Sequence, residues 1–243
     1  MVKQLQLLKN YGLSVAVNRG CLRLKAILID LDGTLLATSF ETLMEGYMQG
    51  VASLFESWIC QKEFIKAIMV STDVMVNNSD PERTNMQVFA DDFFTRTNLD
   101  PHLIKLFERY YIDEFPKLKS FAKADPSAQD MVELAFANNN KVVIATNPLL
   151  PLSAMIERLR WAGVADYPYA LITHCDNMHF CKPNPRYYLE ISKKINVPPE
   201  NCLMIGDDLE NDGSAALVGM DTFILKEGET LAAAIEYILS QRR

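Results

Sequence analysis

The stretch Ala26-Ile27-Leu28-Ile29-Asp30-Leu31-Asp32-Gly33-Thr34 decides how the rest of the chain is read. Its first four residues are apolar and β-prone without alternation, the pattern of a central parallel strand covered on both faces. Asp30 and Asp32 then follow two apart, so on an extended chain their carboxylates project to the same side. Gly33 lets the backbone turn sharply just after them. Two neighbouring acids at a strand end are unfavourable unless one is protonated or a cation bridges them. Taken alone, the same residues could also be a polar turn that caps a following helix.

Four further runs resemble the first: Val142-Val143-Ile144-Ala145, Tyr169-Ala170-Leu171-Ile172, Cys202-Leu203-Met204-Ile205 and Thr222-Phe223-Ile224-Leu225. Helical patterns over 126–138, 152–161, 185–195, 210–218 and 230–240 alternate with them. Alternation of this kind implies an α/β fold with a doubly wound parallel sheet. Between Leu36 and about Ala124 the pattern turns purely helical, with candidates over 40–58, 62–70, 86–94 and 101–112. Placed directly after the first strand, such an insertion sits over the carboxyl edge of the sheet, where ligands of these folds bind. The expected division is therefore an unassigned extension over 1–25, an α/β core of 26–36 and 125–243, and an inserted α-helical cap over 37–124.

Three more segments follow predicted strands. Thr146-Asn147-Pro148 offers a hydroxyl and free backbone N–H groups, which can hold phosphate oxygens. Lys182 lies in Cys181-Lys182-Pro183-Asn184-Pro185, where the prolines restrict the backbone around it. Gly206-Asp207-Asp208-Leu209-Glu210-Asn211-Asp212 is an acidic loop leading into a helical pattern. Read as a calcium loop it fails, because Gly219 stands where a bidentate Glu is needed. Each segment has an ordinary alternative as a turn, a solvated lysine or a helix cap, yet all gather at one sheet edge. Asp30, Asp32, Asp207 and Asp208 facing one threonine and one lysine call for a hard divalent cation with oxygen ligands. His174, Cys175, His179 and Cys181 match no common zinc spacing. Trp58, Trp161 and the Met residues of the insertion read as packing. The polar stretch from Asn77 to Asn85 is the candidate for substrate selection by the cap.

Lys and Arg number 24 against 31 Asp and Glu, a net charge of −7 that argues against a broad nucleic-acid surface. No apolar run approaches the ~18 residues of a membrane helix, and no signal-like block opens the chain. Five scattered cysteines without a C-x-x-C pair suit a reducing, cytoplasmic setting. Residues 1–25 carry five basic and no acidic side chains, a composition shared by organelle transit segments and ordinary leaders.

The four segments, in this order, resemble the haloacid dehalogenase superfamily from Ala26 to about Leu225. That resemblance implies a Rossmann-like core and a magnesium-dependent hydrolase. In it Asp30 is the nucleophile, Asp32 the general acid/base, Thr146 (with the adjoining Asn147) and Lys182 the phosphate holders, and Asp30, Asp32 and Asp207 the metal-binding acids, with Asp208 a rival to Asp207. Dehalogenases of the superfamily lack a carboxylate two residues after the nucleophile, since halide leaves without a proton. Asp32 thus implies a phosphate ester, and the expected activity is hydrolysis of a small phosphorylated metabolite through an aspartyl-phosphate. A phosphotransferase or mutase on the same intermediate, and a non-catalytic binding protein on this fold, remain open.

Overall fold

The computed structural model describes residues 24–38, 40–137 and 139–241; nearly all of the 1–25 extension, with its transit-like composition, lies outside them. Five parallel strands make one sheet: β1 (Ala26–Ile29), β2 (Lys141–Ile144), β3 (Leu171–Ile172), β4 (Cys202–Gly206) and β5 (Asp221–Ile224), in the order β3-β2-β1-β4-β5. The central strand is β1, with Ile29 in register with Ile144 on one side and Ile205 on the other. All four of its residues are fully buried, as an unalternating apolar run requires. Ile27 and Ile29 pack on one face, against residues of the helices Ala128–Ala137, Leu152–Trp161 and Leu231–Ser240. Ala26 and Leu28 face the opposite side, toward Tyr187, Tyr188 and Ile191 of the helix Pro185–Ile195. The sheet is therefore doubly wound, and the inserted segment is an α-helical cap.

The cap comprises α1 (Phe40–Ser53), α2 (Gln61–Val76), α3 (Asn85–Thr97) and α4 (Ile104–Asp113), closed by a 3₁₀ segment over Phe115–Phe121. In the core follow α5 (Ala128–Ala137), α6 (Leu152–Trp161), α7 (Pro185–Ile195) and α8 (Leu231–Ser240). Aromatic rings hold the cap together, with Phe55 against Phe64 at 4.7 Å and against Phe107 at 5.0 Å. Phe115 stacks on Trp161 of α6 at 5.4 Å and joins cap to core. Outgoing and returning chains run side by side: Leu36 bridges antiparallel to Ala124, Ala37 N–H donates to Lys123 O, and Asp125 N–H donates to Leu35 O.

Several sequence expectations shift. The helix foreseen over 62–70 runs on to Val76, because Ile68 and Met75 are buried and Ser71 donates to Asp92 of α3, overriding the low helix propensity of Ser71-Thr72-Asp73. That foreseen over 40–58 ends at Ser53, where i−3 hydrogen bonds from Leu54 and Phe55 tighten the chain into turns. The segment 210–218 is 3₁₀ from Asp212 to Val218. Trp161 is buried, whereas Trp58 is about half exposed. Among the described residues no helix is long and apolar enough to cross a membrane.

Candidate active site

The loops after β1, β2 and β4, with the segment before α7, converge on a cavity of about 270 Å³. Asp30, Asp32, Thr146, Asn147, Lys182, Asp207, Asp208 and Asp212 all line it. Every site residue named from sequence is thus present, although the nearest pair in the chain outside one loop is more than 20 positions apart. Asp30 continues β1 by one residue, its N–H donating to Ile205 O, and its side chain is buried.

Lys182 Nζ lies 2.6 Å from Asp30 Oδ1 and 2.5 Å from Asp212 Oδ1, and all three side chains are nearly inaccessible. Asp212 and Asp30 hold the Lys182 ammonium well above the usual lysine range, outweighing the burial that opposes it. Burial pushes the Asp30 carboxyl up; Asp212 and Asp32 add repulsion, and Lys182 works against both. Lys182 is therefore first a counter-ion to two carboxylates, a placement the sequence did not foresee. Its backbone N–H donates to Asn147 Oδ1, so the Asn147 side chain ties two loops together. The carbonyl of buried Thr146 accepts from the Thr173 and Tyr187 hydroxyls, which turn that loop toward the cavity.

Asp207 and Asp208 separate cleanly. Asp208 Oδ1 accepts from the N–H groups of Glu210 and Asn211 and acts as a turn cap. Asp207 accepts from Thr34 Oγ1, and one of its carboxylate oxygens lies within 4.8 Å of oxygens of Asp30 and Asp212. Desolvation raises the Asp207 carboxyl, and Asp212 adds to the shift. Two glycines permit this crowding: a Cβ on Gly33 (φ +82°) would fall 2.1 Å from Asp207 Oδ2, and one on Gly206 would fall 2.0 Å from Asp212 Oδ2. Three carboxylates converge and Lys182 is paired with two of them, Asp30 and Asp212, which leaves excess negative charge in a partly desolvated site. The donor set fits a hard divalent cation.

Asp212, which the sequence analysis did not single out, joins Asp30 and Asp207 in one carboxylate cluster, and the Asp32 side chain is paired with Arg158 of α6, Nη1 to Oδ2 at 2.5 Å. Arg158 is 1% exposed, although charged Glu157 and Arg160 stand close to it in the chain. The Asn77–Asn85 stretch does not line the cavity. Asn78 Nδ2 donates to His179 O, the N–H groups of Asn85 and Met86 donate to Met178 and Cys175 carbonyls, and buried Asn85 reaches Pro148 O. These bonds latch the cap to the loop before α7. His179 pairs with Glu190 at 2.7 Å, and burial pushes the Cys175 and Cys181 thiols up.

The family profile of the haloacid dehalogenase-like hydrolases matches residues 24–219. Among curated proteins, the chain is similar to a phosphorylated carbohydrates phosphatase of Thermotoga maritima, 21% identical over 87% of this chain and 91% of that one. It is also similar to a phospholysine phosphohistidine inorganic pyrophosphate phosphatase of Xenopus laevis, 26% identical over 62% of this chain and 60% of that one. Among solved structures, a HAD phosphatase from Thermococcus onnurineus shares the fold with a TM-score of 0.57, at 22% identity over 88% of this chain and 98% of that one.

Proposed function

The chain belongs to the haloacid dehalogenase-like hydrolases, and on that footing we propose that it hydrolyses a small phosphorylated metabolite through an aspartyl-phosphate on Asp30. The observation that carries this reading is the buried Lys182 between Asp30 and Asp212, with Asp32 and Asp207 at the same strand ends. The phosphatase names of the two curated relatives support it.

A phosphate dianion nearing Asp30 meets repulsion of about 4 kcal/mol per charge pair at ~4 Å and an effective dielectric near 20. Lys182 offsets part of this from behind the nucleophile. Magnesium, held by Asp30, Asp207 and Asp212, would supply the remaining positive charge and orient the phosphoryl oxygens. Asp30 attacks phosphorus in line while the ester P–O bond breaks and Asp32 gives its proton to the leaving oxygen. Asp32 then takes a proton from water, which attacks the same phosphorus; the bond to Asp30 breaks and inorganic phosphate leaves. Arg158 holds Asp32 for both steps. The Thr146 hydroxyl and neighbouring N–H groups bind the phosphoryl oxygens.

The proposed domains are a core of 26–36 and 125–243 and a cap of 37–124, bounds supported by the pairing of Ala37 with Lys123. The four described cysteines are free thiols, which supports a reducing, cytoplasmic setting.

The test is magnesium-dependent phosphate release from a panel of phosphorylated metabolites and an aryl phosphate, with wild type beside Asp30→Asn. We expect release by wild type and none above background from the variant. Phosphate recovered on an organic acceptor would show a transferase instead, and absence of any turnover would return the chain to the binding proteins.

A further inference from the structure

Helix α7 begins three residues after Lys182 and carries two adjacent tyrosines, Tyr187 and Tyr188, both fully buried with their rings edge to face at 4.9 Å. Neighbouring positions of a helix point about 100° apart, and the two hydroxyls part accordingly. That of Tyr187 donates to Thr146 O at 2.8 Å, in the loop after β2. That of Tyr188 donates to Asn211 O at 2.8 Å, in the loop after β4. Since β2 and β4 flank β1, one turn of α7 is tied to the loops on both sides of Asp30. Side chains placed here for packing alone would be Phe or aliphatic, because a buried hydroxyl is unfavourable unless bonded. Burial pushes both phenols up, so both remain donors. Each shares its carbonyl with a second hydroxyl, Thr173 on Thr146 O at 2.7 Å and Ser214 on Asn211 O at 2.7 Å. Asn211 also precedes Asp212, whose Oδ2 accepts from the N–H groups of Asp207 and Asp208. Fixing the Asn211 peptide therefore fixes the acid around which the whole acidic loop is ordered.

We infer that Tyr187 and Tyr188 are positioning residues with separate tasks: Tyr187 sets the Thr146 loop for the phosphoryl group, and Tyr188 sets the acidic loop for the divalent cation. The inference rests on the phosphatase reading above and adds to it two residues that line neither the cavity nor the carboxylate cluster. Each tyrosine acts through a single carbonyl in a different loop, so each governs one ligand and leaves the other alone. Loss of one buried neutral hydrogen bond changes such an equilibrium by about threefold to tenfold. The second hydroxyl on each carbonyl keeps the loop from being lost altogether.

The experiment compares the full wild-type chain with Tyr187→Phe, Tyr188→Phe and the double variant Tyr187→Phe/Thr173→Val. Calorimetry measures magnesium binding to the phosphate-free protein and inorganic phosphate binding at saturating magnesium, and release from an aryl phosphate gives kcat and KM. Tyr187→Phe should weaken phosphate binding and raise KM by about threefold to tenfold, with magnesium binding unchanged. Tyr188→Phe should weaken magnesium binding by a similar factor and leave phosphate binding at saturating magnesium unchanged. The double variant, which takes both hydroxyls from Thr146 O, should weaken phosphate by about a further threefold to tenfold. Thermal unfolding without ligands separates positioning from packing. Two tyrosine variants that lose both ligands alike, in step with a lowered midpoint, would overturn the inference, and so would two that lose neither; wild-type release would in both cases leave the phosphatase reading standing. A wild type that releases no phosphate would overturn that reading and the inference with it.

Discussion

Lys182 carries two buried carboxylates, and its removal shows what that arrangement is worth. Lys182→Met should abolish phosphate release and lower stability by about 3–5 kcal/mol, because Asp30 and Asp212 would remain buried without their cation. Adding Asp212→Asn should restore much of the stability, read by urea denaturation, and none of the activity. Equal stability of Lys182→Met and wild type would contradict the buried-triad account. Arg158→Lys shortens the reach to Asp32 by exchanging a fork for a point charge; kcat for alkyl esters should fall about tenfold or more with KM little changed, since Asp32 alone is displaced. An aryl ester, whose leaving oxygen needs less protonation, should be less affected in a single-turnover phosphorylation measurement. Asp30, Asp32, Thr146, Lys182 and Asp207 were legible because each follows an apolar strand. Arg158 and Asp212 were not. Arg158 stands close to charged Glu157 and Arg160 in the chain, and its partner lies 126 positions away; burial alone distinguishes it. Asp212 was hidden by its acidic neighbours, any of which could have turned inward.

Among the elements, the strands were the most readable part, since unalternating apolar runs bounded by turn residues have few other meanings. The third strand nonetheless shrank to Leu171–Ile172 at the sheet edge, where one neighbour, β2, fixes it. The start of α3 is specified locally: Thr84 accepts from Gln87 N–H and Gln87 answers on the Thr84 N–H, a complete capping box. Thr84→Ala should cost about 1 kcal/mol, visible as a midpoint shift of about 2–4 °C in thermal unfolding. No change would mean that the latch bonds around Asn85, rather than the cap, fix this helix start. That latch gives the Asn77–Asn85 stretch partners within the protein that the sequence did not reveal. Polar residues next to a helix serve a ligand or a neighbouring loop equally well, and their backbone partners at 175–179 appear only once the chain is folded.

For the molecule as a whole, buried acids of high pKa set the alkaline limit. Burial pushes the Cys181 and Cys202 thiols up to about 12 from an ordinary 9, and buried Tyr187 moves in the same direction. The native state keeps protons that the unfolded chain sheds, so stability is full below about pH 9 and falls as pH rises toward 12. Urea midpoints between pH 7.5 and about 10.5 should decline over that span; a flat or rising trend would refute it. For the same reason Cys60, which is exposed, should react with a thiol reagent at neutral pH well before Cys175, Cys181 and Cys202, as peptide mapping would show. Fold class and cap were legible at this scale because insertion and core differ in periodicity. Ala37 and Lys123, near the two ends of the helical insertion, are bonded backbone to backbone. A segment whose two ends already touch can be lengthened, shortened or exchanged without moving a strand of the sheet. The sheet edge that gathers the carboxylates and the helices above it can therefore be altered independently of each other, through two adjacent residues.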